Sequence, residues 1–418
     1  MKLRTLLLSI ILLLNFGSFA QTASGSLEVY LNNYLNNIPG SSGNNFTKPS
    51  TNQLNQWAVT VDKILSQNIN QARTDAATFN YQITEFTDTV YSTGHTYYIL
   101  EEKAPQTYYW GTYIFNPTAC RNKLIIQAPH PKYDSNTGKQ SIFYFARLNA
   151  KALFLSGTHR CNNDTLSSCS GSTKACSSTS SAYRISDNAH NVYSAFQKTT
   201  ERIFQDNSLS VFVQLHGFAK KSTDPYVIMS NGTRQTPTID YVSIIKNELA
   251  LVDTSLTFKI AHINTSWTRL IAFTNTQGRF INGSSDPCLL SATNSQGNFV
   301  HMEQEKSKLR ADSNGWYKLY IALSNAFPCN PSNISNTSIN MQTISIFPNP
   351  CRSNIVNIEG ANITRINLFD LKGRLLIDTD YASQKRIRLN LSNLHSGLYL
   401  LTIESTTQIY HTKLIVQH

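Results

Sequence analysis

Charge is sparse in this chain: only 15% of its 418 residues are Asp, Glu, Lys or Arg, and no basic run exceeds Lys220-Lys221. The balance is still +11, but scattered cations without a stripe or an aromatic ladder argue against a nucleic-acid partner. Proline and glycine are scarce, at 13 and 18 residues, which excludes collagen-like and low-complexity chains. With 40% hydrophobic residues, a sizeable packed core is expected. There is no Gly-x-Ser-x-Gly elbow, no Gly-x-Gly-x-x-Gly turn and no phosphate-binding loop, so neither a serine nucleophile nor a nucleotide cofactor is supported. The absence of any Cys-x-x-Cys pair weighs against a metal site on Cys161, Cys169 and Cys176. Beyond the N-terminus no stretch approaches the ~18 apolar residues of a membrane helix.

What is present begins with a leader. Lys2 and Arg4 precede the apolar run Leu6 to Leu14, and Ser18-Phe19-Ala20 precedes Gln21. This is the order of a secretory signal, so residues 1–20 are expected to be removed. No Cys follows the cleavage site, which argues against a lipoprotein anchor. Export places the seven cysteines in an oxidising route. Six of them, Cys120, Cys161, Cys169, Cys176, Cys288 and Cys329, precede residue 330 and suffice for three disulfides whose pairing the sequence leaves open; Cys351 is the odd one.

Residues 330–343 have the Asn/Ser/Thr composition of a linker. After it, short alternating runs punctuated by Lys372-Gly373 and Ser396-Gly397 predict about seven strands of a small Ig-like β-sandwich over 344–418. Phe-Pro-Asn-Pro at 347–350, Ile-Asn-Leu-Phe-Asp-Leu-Lys-Gly-Arg at 366–374, Leu-Ser-Asn-Leu-His-Ser-Gly-Leu-Tyr-Leu-Leu at 391–401 and Thr-Lys-Leu-Ile-Val at 412–416 together resemble the C-terminal sorting domain of the type IX (Por) secretion system of Bacteroidetes. The resemblance implies the type IX machinery as a partner and export across the outer membrane. It also implies a tail that is usually removed and a cargo that is released or attached to surface lipopolysaccharide.

Between residues 80 and 329 strand and helix patterns alternate. Runs at 89–100 and 108–115 read as paired strands, and 124–128, 152–156, 211–215, 257–263 and 299–302 as buried ones. Helical patterns fall at 140–149, 187–205, 239–251, 303–311 and 317–326. The alternation predicts a three-layer α/β domain on a mainly parallel sheet. The segment 21–79 reads as a partly helical cap or propeptide.

In such sheets ligands bind beyond the carboxyl ends of strands, and four predicted strands end in acids and imidazoles: Ala128-Pro-His130-Pro-Lys-Tyr-Asp134, Gly157-Thr-His159-Arg160, Gln214-Leu-His216-Gly217 and His301-Met-Glu303. A hydrolytic Zn2+ needs three N or O ligands and an open position; His130, Asp134 and His216 supply them. Glu303 takes the role of general base towards the attacking water, and Arg160 that of holding a substrate carboxylate or a developing oxyanion. Pro129 and Pro131 fix the His130 loop in an extended path. His95, His190 and His262 read as structural.

The order of these segments resembles the N-formylglutamate amidohydrolase-like group, relatives of zinc carboxypeptidases and poly-γ-glutamate hydrolases, over residues 120–312. The resemblance implies one zinc, an amide or peptide substrate, and substrate-binding roles for His159 and for Arg310, which follows the Glu303 motif. This sequence departs from the carboxypeptidase spacing, since three residues rather than two separate His130 from Asp134. The Ser/Cys/Thr-rich stretch 161–181 reads as a disulfide-pinned insertion beside the pocket. The rival reading is a non-catalytic surface or adhesion protein that binds glycan or peptide on the same scaffold.

Overall fold

The structure, a computed structural model, describes residues 21–92, 94–329, 344–370, 373–406 and 409–417. The expected leader and linker lie outside the described residues. A ten-stranded sheet is formed by β1 (Gln21–Gly25), β2 (Tyr81–Asp88), β3 (Thr96–Glu102), β4 (Thr112–Phe115), β5 (Arg121–Ala128), β6 (Ala150–Leu155), β7 (Val211–Phe218), β8 (Val227–Ser230), β9 (Phe258–Ile260) and β10 (Phe299–Glu305) in the order β1-β2-β3-β4-β6-β5-β7-β10-β8-β9. The central strands β6, β5, β7 and β10 are parallel, as the alternation of strand and helix requires. Antiparallel pairs join β2 to β3, β3 to β4, β4 to β6 and β10 to β8, so the sheet is mixed towards its margins.

Helices cover both faces. α1 (Leu27–Asn37), α4 (Thr137–Leu148), α6 (Tyr241–Val252) and α8 (Ser313–Ala326) bury Leu31, Phe145, Ile245 and Leu323 with Leu124, Ile126, Val213, Leu215, Val300 and Met302 of the strands. α2 (Thr51–Leu65), α3 (Ile69–Ala77), α5 (Ala195–Asp206) and α7 (Thr276–Ile281) bury Trp57, Ala72, Phe196 and Ile281 with Ile125, Phe212 and Phe299. Successive strand residues point to opposite faces, so the pleat places Gln127, Gln214, His216, His301 and Glu303 on the α5/α7 side with Ile125, Phe212 and Phe299.

Residues 21–79 are built into the domain: β1 pairs with β2, α1 lies in one core and α2 in the other. Residues 303–305, read as the start of a helix, extend β10, and only 306–310 form a helical turn. This keeps Glu303 on a strand. The cysteines pair as Cys120–Cys329, Cys161–Cys176 and Cys169–Cys288, and Cys351 is free and buried.

The tail is one antiparallel sheet of β11 (Ser345–Phe347), β12 (Ile355–Phe369), β13 (Leu375–Asn390), β14 (Gly397–Ser405) and β15 (Ile409–Val416). Runs expected as separate strands of a sandwich are joined: β12 passes from Glu359 to Ile363 through a shift of register, with Asn362 at a φ of 54°. The bent pair β12–β13 folds over a core of Val356, Ile366, Leu389, Leu401 and Val416.

Trp57 tests the role of the N-terminal segment. It is fully buried against Tyr81, Trp110 and Tyr113, and its indole donates to Thr199 of α5 at 2.9 Å. Trp57→Ala should destabilise the α/β domain by about 3–5 kcal/mol, measured by denaturant unfolding. An unchanged main transition would mean that 21–79 is separable after all.

Candidate metal centre

The site is assembled at the carboxyl ends of β5, β7 and β10. Pro129-His130-Pro131 carries the chain off β5, and one turn later the Asp134 amide donates to the His130 carbonyl at 3.0 Å, which brings both side chains to the same side. On β7 and β10, His216 is the register partner of Glu303 and Gln214 that of His301. Arg160 follows β6. All are buried: His130 is 1%, Asp134 4%, His216 3% and Glu303 6% exposed.

His130 Nδ1 and His216 Nδ1 each lie 3.3 Å from Asp134 Oδ2. That separation is long for a hydrogen bond. It is about the edge, roughly 3.3 Å, of a tetrahedron whose corners lie ~2.0–2.1 Å from its centre, the zinc–ligand distance for imidazole and carboxylate. The opposite ring atoms are turned to acceptors: His130 Nε2 lies 2.8 Å from Asp187 Oδ1, and His216 Nε2 2.8 Å from Gln214 Oε1. Ligand histidines characteristically have such partners behind them. The donor set therefore fits a zinc ion. Two further groups share its members, His130–Asp187–His190 and His216–His301–Glu303.

Glu303 Oε2 and His301 Nδ1 are buried without hydrogen-bond partners, and His301 Nε2 is 3.7 Å from Glu303 Oε1. The Arg160 guanidinium is bonded to Asp187 and has one nitrogen 3.4 Å from His130 Nδ1. His159 is half-buried at the rim, its ring edge-on to Tyr133 at 5.1 Å, while Tyr133 itself is 39% exposed. Arg310 comes near but is differently employed. Its guanidinium donates to the carbonyls of Gln304, Ser135 and Phe218 and lies across Gly217, where a Cβ would stand 2.2 Å from its Cζ. Through these bonds Arg310 braces β10 against β7 and the loop that carries Asp134.

Sequence reasoning missed Asp187 and read His190 as structural. Asp187 bonds His130, Arg160 and His190, the last at 3.0 Å, and the His190 ring stacks on Tyr183 with centroids 3.6 Å apart. Asp187 and His190 precede α5 and were included in its helical pattern.

Electrostatics follow from burial and these pairings. Burial opposes the charge of Asp134, yet the imidazoles of His130 and His216 hold it well below the usual carboxylate range. Asp187 is likewise held well down, because Arg160, His190 and His130 together outweigh burial. Burial and Arg160 oppose a charged His130, but Asp187 and Asp134 raise it. Burial draws His216 down to about 4. Burial, with the Asp134 charge beside it, raises Glu303 to about 8.

Residues 345–417 match the family described as the secretion system C-terminal sorting domain. The tail marks the protein for export to the cell surface or beyond, with the type IX machinery as its partner. No helix among the described residues is long and apolar enough to cross a membrane. No curated protein matches the chain. Among solved structures it is 10% identical to an engineered protein, over 53% of this chain and 57% of that one, with a TM-score of 0.14. It is 9% identical to a Cellulomonas fimi endo-beta-1,4-mannanase double mutant, over 95% and 94% of the two chains, also with a TM-score of 0.14. Neither likeness carries an argument, and the matched tail lies outside the α/β domain.

The raised carboxyl of Glu303 gives the metal-free protein a defined pH dependence. Its folded value, about 8, exceeds its ordinary 4.5, so the stability it contributes is complete below the ordinary value and is lost as pH rises through the folded one. The melting temperature of chelator-treated protein should therefore carry a decline over that window that Glu303→Gln removes. An identical slope in the variant would place the Glu303 carboxyl outside this titration.

Proposed function

We propose that the α/β domain is an exported zinc-dependent hydrolase of amide or peptide bonds, with His130, Asp134 and His216 as the ligands. The observation that carries the reading is the convergence of His130 Nδ1 and His216 Nδ1 on Asp134 Oδ2, each at 3.3 Å, with the far ring nitrogens backed by Asp187 and Gln214. A zinc ion supplies a Lewis acid that polarises a carbonyl and lowers the pKa of water to near neutrality. Glu303, buried with a free carboxylate oxygen and kept ionised by a divalent charge beside it, would take the proton of the attacking water and return it to the leaving nitrogen. Arg160, fixed by Asp187 at the edge of the site, stabilises the charge that develops on the carbonyl oxygen. His159 and Tyr133 at the rim meet the substrate, and the side chains around Glu303 exclude bulk water.

Elemental analysis of the purified protein should find one zinc per chain, lost in His216→Ala. Glu303→Gln should keep the zinc and lose activity on amide substrates by roughly 10²–10⁴-fold. Absence of zinc after metal-supplemented expression, together with no chelator-sensitive amide turnover, would return the domain to the binding role of a surface protein.

A further inference from the structure

We propose that Gln214 is a positioning residue that fixes the tautomer of His216, as the centre of a proton-ordered cluster of buried amides. Gln214, Gln127 and Gln277 have no exposure, and Asn275 is 1% exposed. Gln214 Oε1 lies 2.8 Å from His216 Nε2 and 2.6 Å from Asn275 Nδ2. Gln214 Nε2 lies 3.0 Å from Gln127 Oε1 and 3.1 Å from Gln277 Oε1. An amide turned end for end keeps its shape, so which end faces His216 must be deduced from the partners.

Three anchors outside the cluster make the deduction. The Gly278 backbone N–H, 2.9 Å from Asn275 Oδ1, can only donate, so Asn275 accepts there and donates to Gln214. The Asn188 carbonyl, 2.8 Å from Gln277 Nε2, can only accept, which turns the Gln277 oxygen towards Gln214. Thr200 gives its one hydroxyl proton to the Phe196 carbonyl at 3.0 Å and therefore accepts from Gln127 Nε2 at 2.8 Å, which turns the Gln127 oxygen towards Gln214 as well. All three demand the same orientation, with the Gln214 oxygen facing His216. That oxygen accepts only, so His216 carries its hydrogen on Nε2, and Nδ1 presents a lone pair towards Asp134.

The consequence for zinc rests on the metal-centre reading: no imidazole proton has to leave Nδ1 before it binds the ion. The tautomer itself does not rest on that reading, and the test separates the two. In the chain from Gln21 onward, prepared metal-free with 15N-labelled histidine, long-range 1H–15N spectra should show His216 protonated on Nε2 and bare on Nδ1. Gln214→Met should give a mixture of tautomers and weaken zinc binding, measured by chelator competition, roughly 10–100-fold. Gln214→Glu, which keeps an acceptor behind the ring, should retain the tautomer. A wild-type spectrum with the proton on Nδ1 overturns the proposal, and it requires no variant to fold. A folded Gln214→Met that keeps both tautomer and zinc affinity overturns the role of Gln214. If wild type binds no zinc, the hydrolase reading fails while the tautomer in the same metal-free sample is still decided.

Discussion

Two carboxylates, Asp134 and Asp187, are buried within reach of one imidazole ring, that of His130. Two negative charges held away from water are costly unless each is paired and hydrogen-bonded. Much of the surrounding structure meets that demand. Arg160 and His190 compensate Asp187, and His130 compensates Asp134. Arg160 is itself placed by the long connection after β6, whose path is fixed where the Asn162 side chain donates to the carbonyls of Gly40 and Ser42 and accepts from the Phe46 amide. The N-terminal segment thus reaches the site through the backbone that carries Arg160. It is also part of both cores.

The sheet explains why these groups meet. Parallel strands deliver their carboxyl ends to one edge, and the pleat then sorts side chains by parity. In β7 and β10 the even-spaced positions Gln214, His216, His301 and Glu303 share a face, and the register sets His216 beside Glu303. The same strands place Val213, Leu215, Val300 and Met302 in the opposite core. One residue of slip in either strand would send the imidazoles into an apolar layer, so the packing that stabilises the sheet also holds the geometry of the site.

How far the sequence discloses this depends on whether a residue sits on a periodic element. His130, Asp134, Arg160, His216 and Glu303 are legible because each follows or ends a hydrophobic run whose strand character is plain. Asp187 and His190 lie in the connection from β6 to α5, where the insertion 161–181 has no period and three-dimensional contact alone shows that Asp187 is the hub. Arg310 carries the right charge in the right motif, but its employment by backbone carbonyls depends on the turn at 306–310, which a helical pattern conceals. In the tail, the runs 355–358 and 363–370 read as two strands because Gly360 and Asn362 interrupt them. The chain instead bends there and continues pairing with β13.

The two imidazoles are backed unequally, and that difference shapes the chemistry available. Behind His130 stands a carboxylate, Asp187, which makes the ring more basic; behind His216 stands a neutral amide, Gln214, and burial then holds that ring at about 4. A second carboxylate in place of Gln214 would add a third negative charge to a buried centre that already holds Asp134 and Asp187, with Glu303 alongside. A cation bound among that many anions would be held firmly but largely neutralised, and would polarise a carbonyl less. One charged and one neutral partner would leave enough negative charge to hold a divalent ion and little enough for such an ion to remain an acid. The amides of Gln127, Gln277 and Asn275 make that arrangement possible, because they satisfy Gln214 completely without adding charge to the interior.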